Sequence, residues 1–292
     1  MFALCTAIIS GVSIFLNAFG VQGINPYVFT GFKNVIVAVF LFSIILLFKN
    51  FKQLKNLTFK DWKQLVLIGL IGGSIPFLLF FKGLQLSTGS QGSFIHKTLF
   101  IWVSILGVIF LKEKLSKKVL IPALVLLFGN FLLLNLNSFS FNFGNLLILI
   151  ATLFWGVEII IAKKVLKKLN SNIVAFGRMF FGSVFILIFL LFTGQVSLVG
   201  SLGFSQVMWV LITSVFLFGY VFTWYKAIKF TKVSVATSVL LVGSVITTLL
   251  SFVFLDKMIS LSQLFGLVFL VVGVVWVIKL EKFQFNISIA KP

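Results

Sequence analysis

The sequence predicts an all-α polytopic membrane protein of ten transmembrane helices, built as two inverted five-helix repeats. Of the 292 residues 60% are hydrophobic and 10% charged, and the mean hydropathy is +1.21. A water-soluble domain of this size cannot hide that much apolar surface. Apolar runs of about 18–24 residues recur, the length that ~30 Å of hydrocarbon asks of a helix rising ~1.5 Å per residue. Finally, residues 156–191 lie without a gap on residues 11–46 at an offset of 145: Gly156 falls on Gly11, Asn170 on Asn25 and Arg178 on Lys33. The offset drops to 144 where Tyr225-Lys226 meets Phe81-Lys82, and to 143 where Asp256-Lys257 meets Glu113-Lys114. A period this long is one duplicated unit used twice, not a solenoid.

The first helix is expected over 2–21. It lacks a basic n-region and an A-x-A cleavage site, so it reads as a retained helix. The second spans 27–48, and a basic segment from Lys49 to Lys63 leads to the third, 63–82. Here Pro76 frees a mid-helix carbonyl, and Gly69-x-x-x-Gly73 is a patch for close helix packing. The fourth helix, 88–111, carries His96 and Lys97; the fifth, 119–136, lies in a stretch without any charge that continues into the sixth, 145–166. The seventh to tenth follow at 172–193, 206–226, 232–255 and 261–280. The repeats are therefore 1–137 and 138–281, with a cytoplasmic tail at 282–292.

The formal charge of +19 reports topology. If the N-terminus is cytoplasmic, 19 of the 24 basic residues fall on cytoplasmic segments: Lys49 to Lys63, Lys112 to Lys118, Lys163 to Lys168, Lys226 to Lys232 and Lys279 to Lys291. That asymmetry is the positive-inside pattern; it attracts anionic lipid and argues against nucleic acid as a partner. The lone Cys5 excludes an internal disulfide and a cysteine metal site. With one histidine and no H-E-x-x-H, G-x-S-x-G or Walker loop, no enzyme, metal or cofactor is expected. The odd number of helices per repeat turns the second copy upside down, and inverted repeats are a common basis for alternating access.

Several segments together resemble the ten-helix EamA-type members of the drug/metabolite transporter superfamily. They are Leu153-Phe154-Trp155-Gly156 early in the sixth helix, Lys163-Lys164 at its end, Arg178 early in the seventh, and Leu106-Gly107-Val108-Ile109-Phe110-Leu111-Lys112-Glu113-Lys114-Leu115-Ser116 with its counterpart Ser251 to Ser260. The resemblance covers nearly the whole chain. It implies a substrate cavity near mid-membrane lined by helices 1, 3, 4, 6, 8 and 9, with 5 and 10 peripheral. Family members often carry a proline inside helices 4 and 9; this chain has Lys97-Thr98-Leu99-Phe100 and Val242-Gly243-Ser244-Val245 there, leaving Gly243 to soften helix 9.

Glu158 is the most informative side chain. It lies ~20 Å into the sixth helix, where a charge costs ~2.5–3.5 kcal/mol on insertion scales. It is either a coupling or substrate-binding carboxylate, or a protonated one hydrogen-bonded between helices. It also resembles the proton-exchanging glutamate of the small multidrug transporters. Its repeat partner is Ser13, which shares a face with Ser10 and Asn17, as Trp155 does with Glu158. Lys97, ~13 Å into the fourth helix, either binds a substrate anion, pairs with Glu158, or snorkels; it shares a face with Ser90, Ser93 and Ser104. His96 beside it is a titrating or a packing histidine. Lys33 and Arg178 are expected at the two cavity mouths, reaching anionic groups or lipid phosphate. Tyr220 and Trp224, with Trp155, form an apolar wall, while Glu113 and Asp256 anchor loops. The expected function is secondary transport of a small organic metabolite across the plasma membrane, with both termini cytoplasmic. By resemblance the substrate is an amino acid or related polar compound on export. Proton coupling and uncoupled facilitation or exchange are both open, as are monomer and homodimer; a non-transporting scaffold or receptor is the reading from another class.

Overall fold

The computed structural model describes residues 1–114, 117–133, 141–255 and 260–289. Among them the regular structure is helical. The principal helices are α1 (Phe2–Gly20), α2 (Pro26–Leu47), α3 (Phe59–Gln85), α4 (89–111), α5 (Lys117–Leu132), α6 (Phe143–Val165), α7 (Ser171–Phe192), α8 (Phe204–Phe230), α9 (233–255) and α10 (Leu261–Ile289). Eight are long and apolar enough to cross a membrane, and α5 and α10 contain the shorter apolar helices Leu120–Leu132 and Leu261–Trp276. These ten match the ten apolar runs. The last one continues to Ile289, so most of the expected tail is helix.

The packing repeats under exchange of the halves. α1 lies along α8 as α6 lies along α3, α1 meets α9 as α6 meets α4, and α2 packs on α7 and α5 on α10. Because each half has five helices of alternating direction, α6 runs opposite to α1, and the repeats are inverted. Helices α5 and α10 interlock at Gly129 and Gly266, where a Cβ on either would lie 2.9 Å from the other's carbonyl oxygen, and small residues are what permit such an approach. The outer face of α10 exposes Val268, Val271, Val272 and Val275, as a lipid-facing surface does.

Equivalent positions also carry equivalent caps. Asn25 Oδ1 accepts from the Tyr27 and Val28 N–H groups at 3.0 and 3.2 Å, and Asn170 Oδ1 from Asn172 N–H at 2.9 Å, satisfying the orphan donors of α2 and α7. At the start of α3 the Thr58 N–H donates to Asp61 Oδ2 at 2.9 Å; at the start of α8 the Gly203 N–H donates to Gln206 Oε1 at 2.8 Å. Asp61 and Gln206 are 145 residues apart.

Three helices are interrupted, and the interruptions face the interior. α4 divides into Gly89–Lys97 and Leu99–Leu111, and α9 into Val233–Leu240 and Gly243–Leu255. The breaks at Thr98 and Leu241–Val242 are repeat partners and form without proline. Both tighten to three-residue hydrogen bonds, such as Ile101 N to Thr98 O at 2.8 Å and Val245 N to Val242 O at 3.1 Å, the spacing of a 3₁₀ turn. Thr98 Oγ1 also donates to Ile95 O at 2.7 Å. In α3, residues Gly69–Ser74 form a π-helical turn just before Pro76.

Candidate functional site

Pro76 has no N–H, so the carbonyl four residues earlier, Gly72 O, loses its helical donor. Two side chains from the other half take it: Trp155 Nε1 at 2.9 Å, and Arg178 through Nε at 3.2 Å and Nη2 at 3.0 Å. Gly73 O likewise accepts Asn34 Nδ2 at 2.7 Å. Absence of side chains is what lets these carbonyls be reached: a Cβ at Gly72 would lie 2.9 Å from Glu158 Cδ, and one at Gly73 3.1 Å from the Arg178 carbonyl carbon. The Gly69-x-x-x-Gly73 patch thus packs α3 against α7.

Around this junction lies a partly enclosed cavity of about 70 Å³. Helices α1, α2, α3, α4, α6, α7 and α8 line it. The expectation that α9 lines the cavity is corrected here, and α2 and α7, expected to reach it only at its mouths, line it as well. Among the described residues α9 stands behind α1 and is absent from the wall, whereas α2 and α7, packed along each other, deliver Lys33 and Arg178. Among the described residues α5 and α10 contribute nothing to the wall.

Ser13, Asn17, Lys33, His96, Trp155, Glu158, Arg178, Tyr220 and Trp224 all line the cavity. All are buried except the half-buried Tyr220. Lys33 and Arg178 therefore do not stand at two mouths, and with exposures of 0% and 3% they do not snorkel. The sequence placed each at its own helix end; packing of α2 on α7 turns both inward. Lys33 Nζ donates to Asn17 Oδ1 at 2.5 Å and lies 4.8 and 4.5 Å from the ring centres of Phe29 and Phe81. Asn17 Nδ2 in turn donates to Ser13 O and Ser13 Oγ at 2.7 and 3.0 Å.

Glu158 is fully buried, and Tyr225 OH donates to its Oε1 at 2.5 Å. Its Oε2 has no hydrogen-bond partner among the described residues. The Arg178 guanidinium lies over the rings of Tyr225 and Phe77, 5.8 and 5.4 Å from their centres. Lys97 is the one expected residue outside the wall. Buried behind α1, its Nζ donates to Ser10 Oγ at 3.2 Å, so it neither snorkels nor pairs with Glu158. Ser10 itself lines the cavity. The Ser90 side chain, offered as its neighbour, lies outside the description.

Aromatic rings close the space between these polar groups. Trp155 packs against Phe77, Phe80 and His96 with ring centres 5.4, 5.3 and 5.2 Å away, and Tyr220 stacks on Trp224 at 6.2 Å. Edge and offset contacts of this kind are favourable for π-systems. His96 Nδ1 is buried without a hydrogen-bond partner among the described residues.

Sequence reasoning foresaw the carbonyl freed by Pro76 but missed Tyr225 and the two side chains that take Gly72 O. A signal for Tyr225 existed: it stands five residues before the end of α8, and Glu158 seven before the end of α6, so the two share a depth. Glu113 anchors a helix: its carboxylate accepts from Val233 N–H at 2.9 Å, Ser234 N–H at 3.3 Å and Ser234 Oγ at 2.7 Å at the start of α9. Asp256, its repeat partner, lies outside the described residues.

Two pairs of contacts join the halves at the ends of the bundle. At the lysine-rich end Lys168 Nζ meets Asp61 Oδ1 and Oδ2 at 2.9 Å each, and Asn170 Nδ2 donates to Asn50 Oδ1 at 3.3 Å. At the opposite end Gln206 Nε2 donates to Gly23 O at 2.7 Å, and Asn25 Nδ2 to Gln195 Oε1 at 2.7 Å. Under the offset of 145, Asp61 maps to Gln206, Gly23 to Lys168, Asn50 to Gln195 and Asn25 to Asn170. The same two clasps are built twice.

Comparison with known proteins agrees with this architecture. The EamA-like transporter family matches the chain twice, over residues 1–135 and 142–279. The uncharacterized transporter YetK of Bacillus subtilis is 27% identical over 94% of this chain and 85% of its own. An uncharacterized transporter of Clostridium kluyveri is 24% identical over 82% of this chain and 81% of its own. A solved crystal structure 16% identical to it superposes with a TM-score of 0.73 over 94% of this chain and 98% of that one, which speaks to the fold.

Proposed function

Since the chain belongs to the EamA-like transporter family and is a multi-pass membrane transporter, we propose that it carries a small organic metabolite by alternating access, with the central cavity as its substrate site. One observation carries this reading most strongly: the polar residues that the two halves supply separately, Ser13, Asn17 and Lys33 from one, Glu158 and Arg178 from the other, line a single cavity. The repeats 1–137 and 138–281 are the moving units, and the paired clasps are what each must break to open its end. The lysine-rich end faces the cytoplasm of a cell whose plasma membrane holds the protein, as the charge bias implies. Export of an amino acid or related polar compound is the direction and class that fit the resemblance.

Glu158 is the proton-coupling group in this reading. It is fully buried, and one of its carboxylate oxygens has no hydrogen-bond partner among the described residues. The test is flux in proteoliposomes with and without an imposed pH gradient. Coupling predicts gradient-dependent flux that Glu158→Gln makes gradient-independent. Identical flux in both conditions, unchanged in Glu158→Gln, assigns the protein to facilitation or exchange instead.

A further inference from the structure

We infer that the cavity selects organic anions, and that Lys33 is the residue that holds the anionic group, a carboxylate or a phosphate. This rests on the cavity's being the substrate site. The wall and the layer behind it hold three cationic side chains, Lys33, Lys97 and Arg178, against one carboxylate, Glu158, and all four are buried. Lys97 is turned to Ser10 Oγ, and Arg178 is fixed on Gly72 O. Lys33 is different. It lies in the wall, and its only hydrogen-bond partner among the described residues is the neutral Asn17 Oδ1, which leaves two of three ammonium protons unused. The acid in the cavity wall is Glu158 on α6, which accepts from Tyr225 OH; the other neighbours of Lys33 are the rings of Phe29 and Phe81. A buried cation in direct contact with one amide dipole and two π-faces is costly unless a counter-charge comes into contact with it. The neighbouring rings of Phe77, Phe80 and Phe81 suit the apolar body of such an anion.

The experiment uses four nearly isosteric probes, phenylacetate, phenyl phosphate, phenylacetamide and 2-phenylethylamine, read by thermal stabilisation of the full-length protein in detergent. The expected result is saturable stabilisation by one or both anions and not by the amide or amine, with affinity lowered on the order of 10–100-fold in Lys33→Gln, the loss of one charge-assisted bond, and largely kept in Lys33→Arg. Which anion binds distinguishes carboxylate from phosphate. Stabilisation by the amide or amine equal to that by the anions overturns the inference, and so does stabilisation by none of the four. If Lys33→Gln does not fold, the charge series on the wild-type protein and on Lys33→Arg decides alone. Flux of the same probes into proteoliposomes separates this from the transport reading. Anion binding without flux removes transport and keeps the anion site; flux of the amine or amide without preference for anions does the reverse.

Discussion

Glu158 and Tyr225 make one unit across α6 and α8. Removing the phenol leaves a buried carboxylate with both oxygens unpartnered, whereas replacing the carboxylate by its amide keeps a hydrogen-bonding group of the same shape. Tyr225→Phe is thus expected to lower stability by about 1.5–3 kcal/mol, the range for hydrogen bonds to charged groups, and Glu158→Gln by less than about 1 kcal/mol. Melting curves of the two purified variants check this; equal melting temperatures would show that the bond contributes nothing. Which charged side chains line the cavity was largely legible in the sequence, since a glutamate, a lysine and an arginine inside apolar runs announce themselves by their insertion cost. Their partners were not. Ser10, Asn17 and the carbonyl freed by Pro76 were in view without their partners, and Tyr225 was not in view at all, because a tyrosine is cheap enough in a membrane helix to become significant only when a neighbouring helix points a carboxylate at it.

Along the helices, Pro76 and the π-turn before it decide how the halves meet. An N–H restored at position 76 would bond to Gly72 O and compete with Trp155 and Arg178 for it. Pro76→Ala is therefore expected to leave stability unchanged or raise it, by at most the ~3 kcal/mol that an interior proline costs a helix, while lowering flux at least several-fold. Flux at the wild-type level in a folded variant would remove the freed carbonyl from the site. The proline's effect was readable in advance because it needs only the local chain. The break in α4 was not, for Thr98 is no breaker, and in α9 only Gly243 beside Leu241–Val242 hinted at one. At those breaks Lys97 donates to Ser10, and Gly243 lies against α1, where a Cβ would lie 2.6 Å from Ala7 O. Such constraints belong to the contact between elements.

Across the whole bundle, the two clasps are the same design with different chemistry: a charged pair at the lysine-rich end, neutral amides at the other. In this structure both are closed. Asp61 is buried and Lys168 is 64% exposed, so the ion pair contributes no more than about 1 kcal/mol, a roughly five-fold shift in population. Asp61→Asn is expected to enlarge the fraction open at the lysine-rich end, and Gln206→Ala to reduce it by favouring the opposite opening. Spin labels at Lys52 and Lys167, read as distance distributions, register the change; identical distributions in all three proteins would show that the clasps do not set the balance.

Composition, run length and the 145-residue offset established the class of protein, the ten helices, the inversion and the polar residues of interest, because each follows from the cost of placing groups in hydrocarbon, a cost paid one helix at a time. Only the folded bundle brought Lys33 and Arg178 from the ends of separate helices into one cavity, moved Lys97 behind its wall, exchanged α9 for α2 and α7 in the lining, and joined Asp61 to Lys168. Those outcomes depend on which faces of distant helices meet. Repeat partners share a local environment in the sequence, but it is the pseudo-two-fold packing of the halves that makes them face each other.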